Sequence, residues 1–220
     1  MRSALVIFDM DGVLLDSEPV HIRLERDIFS GLGLAISDSE LNGYVGMAPR
    51  TMWTLIRERH GLRREVGELV AAETAIKVRE FGRMTLQAVH GVEELIRELT
   101  AAGHGLAIAS SSSARLIDTV VQKLGLRRYF PHRVSAEEVA QGKPAPDIFL
   151  EAAARCARRP GECVVIEDSA NGVRAARAAG MACVGFVNRT SGDQDLTAAD
   201  LLVEDFGATS VRRILRFIEA

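Results

Sequence analysis

Four short segments carry most of the residues in this chain that could do chemistry: FDMDGVLLDSEP at 8–19, AIASSSS at 107–113, GKPAPDIFL at 142–150 and VVIEDSANG at 164–172. Each stands at or beside an apolar run of strand type, so the polar residues are expected along one edge of a sheet, where open α/β proteins hold their ligand crevice. Asp9, Asp11, Glu167 and Asp168 would then share one small space. Four carboxylates cannot all ionise there unaided, because like charges at close range raise one another's pKa. A hard divalent cation with oxygen ligands, Mg²⁺ above all, is the simplest remedy, and it makes these four acids the candidate metal ligands. Lys143 and Ser110 add a positive point charge and a hydroxyl donor, which carboxylates and magnesium lack for phosphate chemistry.

The individual residue types suit distinct tasks. LVIF at 5–8 has the continuous apolar character of a buried parallel strand, and Asp9 and Asp11, two apart, point the same way in extended chain. One can attack while the other moves a proton. Gly12 follows, free to take backbone angles closed to other residues and to let a ligand approach the main chain. Ser110 ends the strand-like GLAIAS and offers its hydroxyl to a phosphate oxygen; Ser111 counts with the substrate-binding candidates, although Ser111, Ser112 and Ser113 all suit the N-cap of the helical stretch at 114–124. Lys143 sits in a rigid turn ahead of a helix that can begin near Pro146. Lysine occurs only at 77, 123 and 143 in a chain rich in arginine, which suggests that its compact ammonium is what position 143 requires. CVVIED at 163–168 is another strand, with Asp168 expected to touch the metal directly, Glu167 to ligate or to orient the metal's waters, and Ser169 to cap the helix beyond. The residues alone leave open a plain turn for Asp9 and Asp11 and a helix cap for Asp168.

The elements that must position these groups follow from periodicity. The first strand is separated from the next, at 104–109, by nearly a hundred residues of helical patterning, with Val20, Leu24, Ile28 and Leu32 at a four-residue step and Met52, Leu55 and Ile56 marking another face. That is too long for one crossover. The spacing predicts an inserted α-helical cap over residues 16–85, with an α/β core made of 1–15 and 86–220. Strand and helix then alternate to a last short strand at 201–203 and an amphipathic closing helix, which describes a doubly wound, mostly parallel sheet with helices on both faces. The loop at 188–195 reads as polar and at most mobile.

Composition bounds the function classes. The 220 residues, 47% hydrophobic, can build one sizeable core plus a smaller unit, and a net charge of −3 with 26% charged residues gives no reason to expect a nucleic-acid partner. Three cysteines argue against a disulfide framework and for a reducing compartment. No apolar run approaches the ~20 residues of a membrane span, and the acidic motif at Asp9 leaves no room for a secretory leader. A cytoplasmic protein with no membrane partner, a monomer or weak dimer, is expected.

Together the four motifs, in this order, resemble the haloacid dehalogenase superfamily, in its branch with a helical cap inserted after the first strand. The resemblance runs from about Leu5 to the strand near Val203. It implies that Asp9 attacks phosphorus and becomes an aspartyl phosphate, and that Asp11 acts as acid on the leaving oxygen and then as base for water while its backbone carbonyl helps hold Mg²⁺. Substrate choice would lie in the cap, where His21, Arg50 and Lys77 resemble cap residues of β-phosphoglucomutases. Gly46-Met-Ala-Pro-Arg50 is one residue longer than expected there, and DSEP at 16–19 is more typical of sugar-phosphate phosphatases. The expectation is therefore a Mg²⁺-dependent phosphatase of small phosphorylated metabolites, sugar or polyol phosphates. A phosphosugar mutase, a phosphorylation-driven signalling module and a dehalogenase are the alternatives; Asp11 disfavours the last and the cap disfavours a signalling module.

Overall fold

The structure, a computed structural model, describes residues 3–44 and 46–220. Six strands form its sheet: β1 (Leu5–Phe8), β2 (Gly105–Ser110), β3 (His132–Ser135), β4 (Cys163–Glu167), β5 (Ala182–Phe186) and β6 (Leu201–Val203). They lie in the order β3-β2-β1-β4-β5-β6, every pairing parallel. The expected doubly wound sheet is therefore observed. Every residue of β1 is buried, as a central strand covered on both faces must be. Val6 and Phe8 face one apolar cluster and Leu5 and Ile7 the other, the alternation that a strand imposes.

Helices α5 (Val92–Ala101), α6 (Ala114–Lys123) and α9 (Ala208–Glu219) cover the first face, and α7 (Asp147–Arg155) and α8 (Ala170–Ala178) the second. In α5 the buried residues Val92, Leu95, Ile96 and Leu99 follow the spacing of one helical face. Successive strands add to one side of β1 as far as β3, and the chain then crosses to place β4, β5 and β6 on the other. The reversal of winding beside β1 opens a crevice at the carboxyl ends of the strands.

Between β1 and β2 run α1 (Glu18–Gly31), α2 (Asp38–Asn42), α3 (Pro49–His60) and α4 (Val66–Arg83). They enclose an apolar cluster of their own, in which Phe29 and Trp53 meet edge to face at 5.3 Å between ring centroids. The stripe expected along α1 is shared: Leu24 and Val20 pack on the sheet's cluster, Ile28 and Leu32 on that of the helices. The face expected on α3 is partly corrected. Met52 and Ile56 are buried, but Leu55 is 40% exposed and Trp53 takes the inward place. All three cysteines are free, Cys163 and Cys183 buried among apolar neighbours. Among the described residues no helix is long and apolar enough to cross a membrane.

Candidate active site

Asp9 follows the last residue of β1 and continues its ladder by one bond, from its N–H to the carbonyl of Ile166 at 3.0 Å. The turn ahead of α7 delivers Lys143, 1% exposed, whose Nζ donates to Asp9 Oδ1 at 2.5 Å and to Glu167 Oε1 at 2.6 Å. Burial favours the neutral amine, but the two carboxylates outweigh it and raise the lysine's pKa. Glu167 is occupied on both oxygens, its Oε2 accepting the N–H of Ser169 at 2.7 Å and its hydroxyl at 3.0 Å. A side chain at Gly172 would fall 1.7 Å from Glu167 Oε1, so only glycine lets the first turn of α8 lie this close. Glu167, expected to ligate a metal or to orient its waters, holds the lysine. Ser169 caps α8 as expected, accepting from Gly172 N.

Asp11 lies beyond the strand, in a tight loop rather than in the extended chain expected, because Gly12 turns at φ +80° and gives its N–H to Leu15. Its Oδ1 accepts from Ser17 Oγ at 2.7 Å and meets His21 Nε2 at 2.8 Å, and its Oδ2 accepts from Ser112 Oγ at 2.7 Å and Ser110 Oγ at 3.3 Å. Burial works against its charge, but the His21 imidazole and these hydroxyls prevail and hold the carboxyl well below its usual range. Burial and Lys77 work against a charged His21, yet Asp11 prevails there too and its pKa is raised. The two side chains form a proton-sharing pair.

The serines of this segment take separate tasks, one of the later ones capping the helix as expected. Ser110 is fully buried, and its oxygen accepts the Ser112 N–H at 3.0 Å while its hydroxyl donates to Asp11 Oδ2 at 3.3 Å. Ser113 is the cap of α6. Ser111 donates to the carbonyl of Gly46 at 2.8 Å, linking the end of β2 to the loop before α3. Ser17 and Ser112 were missed in the sequence because a hydroxyl's direction depends on the loop that bears it.

Asp168 completes the constellation from the end of β4. Its Oδ2 accepts a hydrogen bond from Ser191 Oγ, and a Cβ on Gly12 would stand 1.9 Å from the same oxygen. Asn188 Nδ2 donates to the Gly12 carbonyl at 2.9 Å, so the loop after β5, expected only to be polar and mobile, helps shape the site. Nothing but its polarity in the sequence marked it.

Burial, then the charges of Glu167 and Asp9, push the Asp168 carboxyl well above the usual range. Burial does the same for Asp9, Lys143 opposing and Glu167 and Asp11 adding. Three buried acids around one ammonium leave the site short of positive charge, and the free donors are hard oxygens. This donor set fits Mg²⁺. The fit differs from the expected ring of four: among the described residues no three acidic, histidine or cysteine side chains converge as a ligand cluster, since Asp11 and Glu167 are turned to other partners.

Asp9, Asp11 and Asp168 open on a cavity whose opposite wall comes from α1 and α4. Lys77 is buried there between Glu25 at 2.8 Å and Glu73 at 2.6 Å. Trp53 Nε1 fixes Glu73 at 2.5 Å. Burial pushes the Glu18 carboxyl on the same wall up to about 7. His21 and Lys77 thus come to the cavity as expected of substrate-binding residues. Arg50 does not: it is exposed in the first turn of α3 and does not line the cavity.

The comparisons with known proteins agree with this geometry. The family model for haloacid dehalogenase-like hydrolases matches residues 4–180. The fructose-1-phosphate phosphatase YqaB of Escherichia coli (strain K12) is 32% identical over 196 residues, covering 83% of this chain and 96% of that protein. Hexitol phosphatase B of the same organism is 36% identical over 180 residues, covering 80% and 79%. The crystal structure of CbbY from Rhodobacter sphaeroides in complex with phosphate superposes with a TM-score of 0.84 at 25% identity, covering 94% of this chain and 96% of that one.

Proposed function

The chain belongs to the haloacid dehalogenase-like hydrolases, and from that premise we propose that it is a Mg²⁺-dependent phosphatase of sugar or polyol phosphates working through an aspartyl phosphate on Asp9. The observation that carries this is the pair of carboxylates on one cavity with opposite environments: Asp9 held by an ammonium, Asp11 coupled to an imidazole.

Asp9 Oδ attacks phosphorus, and the bond from phosphorus to the leaving oxygen breaks. The proton shared by Asp11 and His21 passes to that oxygen, which leaves as an alcohol. Water then attacks the phosphorus, its proton returns to the Asp11–His21 pair, the bond to Asp9 breaks, and inorganic phosphate departs. Asp11 alone was expected as the acid; the imidazole of His21, at 2.8 Å from its Oδ1, shares that role. Lys143 stays charged beside Asp9 and offsets negative charge throughout. Asp9, Asp168 and the backbone carbonyl of Asp11 are the groups that would hold Mg²⁺, which supplies the positive charge that the buried acids lack.

Residues 16–85 act as a cap over the core of 1–15 and 86–220, supported by the separate apolar cluster of α1 to α4. The free cysteines support a cytoplasmic location. A panel of phosphorylated metabolites, assayed for phosphate release with Mg²⁺ and with a chelator, tests the assignment. Release from sugar or polyol phosphates only with the metal is expected; isomerisation of a sugar phosphate faster than hydrolysis would favour the mutase instead.

A further inference from the structure

Among the described residues lining the cavity, Lys77 is the one lysine and there is no arginine. Lys77 is neutralised by two acids. Glu25 and Glu73 both contact its ammonium, and Glu73, 1% exposed, is locked by Trp53. The wall formed by α1 and α4 therefore carries Glu18, Glu25 and Glu73 against one lysine and a histidine already paired with Asp11. An anion entering there finds no cation free to meet it, and it faces carboxylates across a partly desolvated space where charge repulsion is strong. His21 is 7% exposed on the same wall, and its Nδ1 has no hydrogen-bond partner among the described residues. The Glu18 and Glu25 carboxylates on this wall suit a hydroxyl, which can donate to them.

We infer that this wall receives the neutral hydroxyl chain of a substrate bearing a single phosphate and rejects a second phosphate, and that Glu25 and Glu73 impose the choice by neutralising Lys77. The inference rests on the phosphatase assignment and narrows it. It also separates this chain from a phosphosugar mutase, which has to accommodate a sugar carrying two phosphates. Arg50, the other cation expected to read the substrate, stands outside the cavity and does not compensate.

The test compares fructose 1-phosphate with fructose 1,6-bisphosphate, a pair that differs by one phosphate, bound with Mg²⁺ to the full chain carrying Asp9→Asn so that neither is turned over. Calorimetry should give a Kd at least about tenfold weaker for the bisphosphate, the repulsion of one uncompensated charge. Adding Glu25→Gln, which removes one of the two charges held against Lys77 from a side chain 14% exposed, should narrow that gap at least about fivefold. Glu73→Gln should act in the same direction, and its thermal midpoint shows whether loss of the buried charge has also unfolded the helices. Bisphosphate binding as tight as monophosphate binding overturns the inference while leaving the phosphatase assignment standing, and so does an unchanged gap in Glu25→Gln. Failure of both sugars to bind overturns the two together.

Discussion

Lys143→Met isolates what the buried ammonium does. The methionine is apolar and of similar length, so it fills the space over Phe149 but leaves Asp9 and Glu167 without the donor they share at 2.5 and 2.6 Å. Removing one partner of a buried ion pair costs about 3–5 kcal/mol, because the remaining charge stays desolvated. Here two carboxylates are orphaned with Asp168 beside them, so the upper part of that range is expected. For a chain of this size, in which 1 kcal/mol moves the midpoint by about 2–4 °C, the thermal midpoint should fall by roughly 8–20 °C. The deficit should also depend on pH. Burial already raises the Asp9 pKa above its unfolded value, and losing the lysine raises it further. The folded variant then binds protons more readily than its unfolded chain, and its deficit should shrink as pH falls from 7 towards 5. Thermal and urea unfolding followed by circular dichroism, with a chelator present so that no metal replaces the missing charge, measure the midpoint and the deficit at each pH. A deficit below about 1 kcal/mol at pH 7, or one that grows as pH falls, refutes the view that Lys143 is the counter-charge on which these acids depend.

Asp9→Asn should lower turnover by several orders of magnitude with little change in melting, and more than a tenth of the activity surviving would remove Asp9 as the nucleophile. Gly12→Ala places a methyl group into Asp168 at a backbone φ of +80°, so the Mg²⁺ concentration for half-maximal activity should rise at least about tenfold, read from a metal titration. An unshifted titration would mean that Asp168 has no part in holding the metal. Arg50→Ala should leave kcat/KM for sugar phosphates within about threefold, as suits an exposed side chain outside the cavity; a loss above tenfold would return Arg50 to the substrate.

Much of this protein is legible in its sequence, and the reason is local. LVIF, GLAIAS and CVVIED are runs whose apolar continuity admits little but buried strands, and a chain built of such strands joined by helices winds into a parallel sheet by general rules of handedness. Once the strands are parallel, the residues that end them gather at one edge. Asp9, Asp11, Lys143 and Asp168 were found in this way, the last three each beside a glycine, proline or serine that marks a turn. What the sequence did not reveal depends on direction and on distant partners. Glu167 and Asp168 are neighbours with the same chemistry, but the strand's alternation and the close approach of Gly172 turn one to Lys143, and the loop after β5 engages the other. Lys77 and Arg50 look alike as cap cations. Only the packing of α4 against α1 buries Lys77 between two acids contributed by different helices, while Arg50 begins α3 on its open side. Sequence determined which charges are present and which strands carry them; the tertiary structure decided which charges cancel, because screening and desolvation act across space between residues far apart in the chain.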